Sequence, residues 1–281
     1  MSEHPLTWLD VFTATPLTGN QLAVVHDADG VGDDTMQAFA RETRLSETTF
    51  VQSSSAADYR CRIWMTRGEL DFAGHPSLGT AVAVALARGE AAPAYVQQTR
   101  AGLQPIDVEV ADDRTARASM LQEPVAFGAE LDAAVALAAA GVDPAHADPS
   151  LPAQVVSTGV PQVIVPVLPE ALAELRADFA ALEALLAEHD AVTLYLAAVA
   201  GDRARSRSLY LEPAGVSEDP ATGSAAGPLM AYLHERSGLD RLRVEQGVEM
   251  GRPSVLECSV EGDRVRVGGD VVVVARGTVL L

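Results

Sequence analysis

Two short segments rich in glycine and small polar residues each lead into an apolar, helix-forming stretch. They are Gly74-His75-Pro76-Ser77-Leu78-Gly79 and Thr222-Gly223-Ser224-Ala225-Ala226-Gly227. A helix entered through glycine offers backbone N–H groups and the positive end of its dipole, which suit an anion such as a carboxylate. The segments therefore indicate either two binding sites for a small acid or, as the residues alone leave open, two tight turns before helices.

Three titratable residues stand close to these segments. His75 lies inside the first segment, Asp219 precedes the second, and Glu47 falls where a predicted helix gives way to a strand. Each could act as a general acid or base. Each also has an ordinary structural alternative: a buried imidazole for His75, an Asx turn or helix cap for Asp219, and a solvated carboxylate for Glu47.

The elements around both segments follow the same order of strand, turn and helix. The helix after Gly79 and the helix after Gly227 are apolar nearly all round, so each must be buried on every side. We predict an α+β fold with two similar domains, each a curved sheet or barrel of strands wrapped around a central helix. A further amphipathic helix is predicted over Glu170 to Glu188.

Composition excludes several classes of function. The 281 residues carry 20 Lys+Arg against 39 Asp+Glu, a formal charge of −19, which argues against nucleic acid or an anionic membrane surface as a partner. All 20 basic residues are arginine. Without lysine the chain cannot form a Schiff base with pyridoxal phosphate or build a Walker A loop.

The sequence gives equally little support for a metal site, a disulfide or a membrane-spanning segment. Cys61 and Cys258 stand far apart, the six histidines form no H-E-x-x-H motif, and Asp27-Ala28-Asp29 lacks the glutamate that would complete a calcium loop. The first residues lack the basic and apolar regions of a signal peptide, and no apolar run in the sequence approaches the ~18 residues that span a bilayer. We therefore expect a cytoplasmic protein with no metal and no cofactor.

Six sequence blocks, in this order, resemble the PhzF-like isomerase family, named after a phenazine-biosynthesis isomerase. They are DVFTATPLTGNQLAVV, LSETTFV, GELDFAGHPSLGTA, STGVP, EDPATGSAAG and QGVEMGRPS, and they run from Asp10 to Ser254. The resemblance implies the diaminopimelate-epimerase-like fold and an active site in the cleft between two domains. We place the domains at residues 1–118, joined by 268–281, and at 119–267.

The resemblance also implies a function and the residues that perform it. The implied function is a cofactor-independent proton shift on a small carboxylic acid, in an enzyme that is often a homodimer. Glu47 matches the family's catalytic acid/base, His75 and Asp219 match its other catalytic residues, and Gly223 and Ser224 match its substrate-binding helix start. Gly74, at the equivalent helix start, is assigned to substrate binding as well.

Two alternatives remain. One is a non-catalytic protein of the same fold that only binds a small acid, and the other is an epimerase or racemase. The related racemases place a cysteine at each of the two helix entries, whereas this chain has none there. The sequence also departs from the family where Thr66 and Glu212 stand in place of a usual proline, which leaves the substrate open.

Overall fold

The computed structural model describes residues 2–173, 175–213 and 215–281. These divide into two compact units: unit 1 contains residues 1–120 and 268–281, and unit 2 contains residues 121–267. The domain boundaries read from the sequence, at 118/119 and 267/268, stay a prediction. Within the described residues, no helix has the length and apolar character needed to cross a membrane.

Unit 1 is a closed ring of eight strands around one helix. Neighbouring strands pair in the order β1-β2-β3-β4-β6-β7-β8-β17, and β17 closes the ring on β1. The elements are β1 (Glu3–Val11), β2 (Asn20–Val25), α1 (Asp33–Thr43), β3 (Thr48–Gln52), β4 (Tyr59–Met65), β5 (Gly68–Leu70), α2 (Gly74–Arg88), β6 (Ala94–Thr99), β7 (Gly102–Val110), β8 (Thr115–Leu121) and β17 (Arg264–Leu280).

Unit 2 repeats this succession, and its strands pair in the order β9-β10-β11-β12-β13-β15-β16. The elements are β9 (Ala126–Leu131), α3 (Ala133–Ala139), β10 (Ala153–Ser157), β11 (Pro161–Pro166), α4 (Phe179–Glu188), β12 (Thr193–Ala200), β13 (Arg203–Glu212), β14 (Gly215–Asp219), α5 (Gly223–Ser237), β15 (Arg241–Gln246) and β16 (Ser254–Glu261). In each unit, two parallel strand pairings are separated by an antiparallel one, so the two units share the same succession of strand directions.

The helices α2 and α5 form the centres of the two units. Residues 75–85 of α2 are all buried, as are 225–233 of α5, because neither helix has a polar face to turn toward water. Gly79 lets α2 approach the first two strands closely, since a Cβ there would lie 2.6 Å from Leu22 Cδ2 and 2.8 Å from Val11 Cγ2. The predicted α+β fold, with two similar units wrapped around central helices, is confirmed.

The predicted helix over Glu170 to Glu188 is wrong in its first half. A short 3₁₀ turn covers Pro169–Ala173, and α4 begins only after Asp178, whose carboxylate accepts a hydrogen bond from the Ala181 N–H at 2.8 Å. This cap starts a new helix and satisfies one of its first N–H groups. Position 174, inside the predicted helix, lies outside the described residues.

Candidate active site

Glu47 and His75 are neighbours in unit 1. Glu47 lies between the end of α1 and the start of β3, and His75 is the second residue of α2. Glu47 Oε2 is 3.4 Å from His75 Nε2, and the two side chains are only 13% and 8% exposed. A mostly buried carboxylate beside an imidazole is an arrangement suited to proton transfer, and such contacts often shorten when substrate binds.

Asn20 orients the His75 ring. Its Nδ2 lies 3.2 Å from His75 Nδ1, and both side chains are buried. An amide nitrogen can only donate, so Nδ1 accepts in this contact, and Nε2 is the ring nitrogen that faces Glu47. In a sequence, a Gly-Asn pair such as Gly19-Asn20 is an ordinary turn signal. Gly19 does make a turn (φ 69°), which sets Asn20 at the start of β2.

The N-terminus of α2 is open to a ligand. No side chain of the described residues caps it, and the Ser77 hydroxyl instead donates to the Ala73 carbonyl at 2.8 Å. A Cβ added at Gly74 would meet no atom within 4 Å. The first turn of α2 therefore combines backbone N–H groups with free space beside the chain, as carboxylate binding requires.

A buried ion pair fixes the strand that leads to this helix. Arg62 on β4 donates two hydrogen bonds, each of 2.7 Å, to the two carboxylate oxygens of Glu69 on β5, and a third of 2.6 Å to Asp33. The Arg62 and Glu69 side chains are 10% and 7% exposed. The hydrogen bonds that Arg62 donates to the Glu69 carboxylate raise the pKa of Arg62, so the guanidinium stays charged.

In unit 2, Asp219 is the last residue of β14, and three residues separate it from Gly223, the first residue of α5. The Thr222 hydroxyl donates to Asp219 Oδ2 at 2.5 Å. Thr222 thus turns back toward Asp219, and among the described residues no side chain caps α5, which begins at Gly223 and Ser224. Asp219, Gly223 and Ser224 are therefore brought together in unit 2, as Glu47, His75 and Gly74 are in unit 1. That the two groups serve one substrate stays a prediction.

Gln122 supports the first turn of α5. Its Nε2 donates to the Gly223 carbonyl at 2.9 Å, and its Oε1 accepts from the Thr158 hydroxyl at 2.6 Å. A Cβ at Gly227 would lie 1.7 Å from Gln122 Oε1, so a larger residue there would displace the Gln122 amide from these hydrogen bonds. Thr158, which belongs to the STGVP block, therefore helps to hold the Gln122 side chain in place.

A second buried ion pair precedes α5. Arg207 on β13 donates hydrogen bonds of 2.8 and 2.6 Å to the two carboxylate oxygens of Glu218 on β14. Glu218 directly precedes Asp219, so the pair fixes the strand that carries the candidate catalytic carboxylate. Of the two family departures, Thr66 is exposed after β4 and Glu212 ends β13, where Tyr210 donates to its carboxylate at 3.3 Å.

Both cysteines are buried and free. Burial raises the pKa of the Cys61 thiol to about 12 and that of Cys258 still further, so neither forms a thiolate near neutral pH. This agrees with the sequence-based argument against a two-thiol racemase. In the described part of the chain, no cluster of three or more His, Cys, Asp or Glu residues could hold a metal ion.

Known proteins share this architecture along almost the whole chain. A curated trans-2,3-dihydro-3-hydroxyanthranilate isomerase from Pseudomonas chlororaphis is 37% identical over 99% of this chain and 100% of its own. The structure of a predicted epimerase from Pseudomonas aeruginosa superposes with a TM-score of 0.87 at 34% identity, covering 99% of each chain. A PhzF-family protein from Bacillus anthracis gives a TM-score of 0.87 at 28% identity, covering all of both chains.

The family model described as phenazine biosynthesis-like protein matches residues 9–277. This range contains both central helices, Glu47, His75 and Asp219. The chain belongs to the phenazine biosynthesis-like (PhzC-PhzF) family, and it is an isomerase.

Proposed function

We propose that this isomerase shifts a proton between two carbons of a small carboxylic acid, without metal or cofactor, and that Glu47 is its acid/base. The observation that carries the proposal is the 3.4 Å approach of Glu47 to His75, whose ring is oriented by Asn20. A base near a fixed imidazole can remove a proton and return it elsewhere on the substrate.

The reaction balances without an oxidant or a second substrate. The Glu47 carboxylate takes a proton from carbon, so the C–H bond breaks and a carboxylic O–H bond forms. The electron pair left on carbon spreads over the conjugated double bonds and the substrate carboxylate. Glu47 then returns the proton at another carbon of the same system, which moves the double bonds and regenerates the carboxylate.

The remaining site residues bind and stabilise the substrate in this proposal. The N–H groups at the starts of α2 and α5, at Gly74, Gly223 and Ser224, bind the carboxylate and stabilise negative charge as it develops. The Nε2–H of His75 donates toward the reacting group or relays the proton. Asp219 orients the substrate from unit 2.

The relatives supply a first candidate substrate. They are named for the isomerisation of trans-2,3-dihydro-3-hydroxyanthranilate, a ring acid that keeps two double bonds beside its carboxylate. A compound of this class has the conjugated system that a one-base proton shift needs. We propose this compound or a close cyclic analogue as the substrate.

The test is incubation of the protein with trans-2,3-dihydro-3-hydroxyanthranilate in D₂O, followed by proton NMR. We expect isomerised product with deuterium at the carbon that receives the proton and unchanged rates after treatment with EDTA. Turnover by Glu47→Gln, which cannot accept a proton, should be at least about 10²-fold slower. A thermal-shift screen of small carboxylic acids extends the search if this compound does not bind. Turnover by Glu47→Gln at the parent rate would exclude the single-base mechanism.

A pure binding protein is the competing function. It would bind the acid with both Glu47 and Glu47→Gln, and it would exchange no substrate proton with either. The same D₂O experiment therefore separates turnover from binding.

A further inference from the structure

Gln246 is a fully buried amide at the end of β15, and it opens the QGVEMGRPS block. On one side its Oε1 accepts hydrogen bonds from the Tyr195 hydroxyl at 2.9 Å and the Thr222 N–H at 3.2 Å. On the other side its Nε2 donates to the Asp219 carbonyl at 2.7 Å and to the Thr222 hydroxyl at 2.9 Å. One side chain thus contacts both the start of α5 and Asp219.

The partners of Gln246 fix the direction of these hydrogen bonds. A backbone N–H faces Oε1 and a backbone carbonyl faces Nε2, so the amide has only one orientation that satisfies both. The Thr222 oxygen accepts from Gln246, and its own hydrogen is therefore directed to Asp219 Oδ2, 2.5 Å away. A directed chain of hydrogen bonds runs from Gln246 through Thr222 to the Asp219 carboxylate.

Close packing supports the same contact independently. Gly247 has φ +74°, and a Cβ there would lie 2.6 Å from the Pro220 carbonyl oxygen and 2.4 Å from that of Arg252. Only glycine therefore lets the segment after β15 lie against the residue that follows Asp219. Gln246 and Gly247 together contact Asp219 and Pro220 through hydrogen bonds and backbone packing.

We propose that Gln246 and Thr222 are positioning residues for the isomerase reaction, which act by fixing the backbone and carboxylate of Asp219. The proposal rests on the function assigned to Asp219 above. Gln246 fixes the Asp219 carbonyl, and Thr222 fixes one carboxylate oxygen, so the side chain is held in a single orientation before substrate binds. Such preorganisation raises the rate because no reorganisation is needed during the reaction.

The test is a double-mutant cycle between Thr222→Val and Asp219→Asn. Thr222→Val keeps the shape of the side chain and removes only the hydroxyl. We expect it to lower kcat about 10- to 100-fold, the loss that accompanies one hydrogen bond to a charged group, while Thr222→Ser stays within about 3-fold of the parent. In the Asp219→Asn background, Thr222→Val should cause almost no further loss, because coupled residues are not additive.

Thr193→Val is the matched control. The Thr193 hydroxyl is also buried in unit 2 and also donates at 2.5 Å, but to Gln162 Oε1 and not to Asp219. It should lower the midpoint of thermal unfolding about as much as Thr222→Val does and leave kcat unchanged. The cycle is measured on kcat and on the dissociation constant of the substrate acid, so it can be completed even where Asp219→Asn turns over too slowly to follow.

The outcomes separate this inference from the proposed function. If Glu47→Gln and Asp219→Asn abolish turnover but Thr222→Val matches Thr193→Val in kcat, the positioning role is wrong and the proposed function stands. A full loss from Thr222→Val in the Asp219→Asn background also overturns it. If Glu47→Gln isomerises as fast as the parent, the proposed function itself fails.

Discussion

The starts of α2 and α5 are held by the same kinds of contact, but different reactive side chains lie beside them. Each follows a buried arginine–glutamate pair, with Glu69 five residues before Gly74 and Glu218 five residues before Gly223. Each is also contacted by a buried glutamine: Gln97 Nε2 donates to Ser77, and Gln246 Nε2 donates to Thr222.

The side chains at matched positions are nevertheless different. Counting from the first helical glycine, His75 corresponds to Ser224, while Leu70 corresponds to Asp219. The imidazole and its glutamate partner belong to unit 1, and the aspartate with its threonine belongs to unit 2. The comparison teaches that a duplicated backbone arrangement can take on two tasks through a few substitutions, because the scaffold and the reactive groups are separate features.

The largest expected effect tests this division of tasks. Glu47→Gln should lower kcat by about 10²- to 10⁴-fold and leave the affinity for the substrate acid near that of the parent, because a general base is lost and the helix starts are kept. Asp219→Asn should instead weaken affinity together with kcat, because the role proposed for Asp219 is to orient the substrate. Steady-state kinetics and isothermal titration measure both. Equal effects of the two changes on affinity would contradict the division.

The ion pairs are expected to matter next, through stability. Removing one partner of a buried pair leaves an uncompensated charge and typically costs about 3–5 kcal/mol. Arg62→Met and Arg207→Met should each lower the free energy of unfolding by this order, with the larger loss for Arg62, which also donates to Asp33. Urea denaturation followed by circular dichroism measures the effect. A loss below about 1 kcal/mol for both would show that the pairs are dispensable.

Replacing each of two glycines of α2 with alanine should have opposite effects on stability and on substrate binding. Gly79→Ala places a methyl group against Leu22 and Val11, and such overpacking typically costs about 1–3 kcal/mol. It should therefore lower the unfolding temperature and spare substrate affinity. Gly74→Ala meets no neighbouring atom and should keep the stability, while its methyl group weakens binding at the helix start. Thermal unfolding and titration calorimetry test the pair, and unchanged binding by Gly74→Ala would remove that residue from the site.

The smallest effect on activity is expected from the cysteines. The double change Cys61→Ala and Cys258→Ala should leave kcat within about 2-fold of the parent and cost about 1 kcal/mol of stability per site, an ordinary loss for a buried position. Both thiols are buried and protonated near neutral pH, so neither is available as a base. A folded double variant without activity would restore the thiol racemase as the leading function.

Much of the fold could be predicted because its strongest sequence signals are local. An apolar helix without a polar face must be buried, and the two Gly-rich entries mark where α2 and α5 begin. The break before α4 was missed because Asp178 starts a new helix within a stretch of uniform helical periodicity.

The site was predicted less completely. Glu47, His75 and Asp219 came from spacing and from family resemblance, whereas Asn20, Thr222 and Gln246 did not. Asn20 resembles an ordinary turn residue, and Gln246 lies 27 residues beyond Asp219, so only the folded chain brings them to their partners. The one available signal was the presence of Asn20, Thr222 and Gln246 within the quoted sequence blocks.

The strand β17 also affects the order in which the protein can form during synthesis. Its residues 271–280 pair with β1 along nine positions, from Val271 opposite Val11 to Leu280 opposite Glu3. Strands β9 to β16 of unit 2 are therefore all synthesised before β17, the last strand of unit 1. Unit 1 begins first, and its β1 lacks this partner until β17 has been synthesised, so the exposed edge of β1 is until then a site for mispairing with other chains.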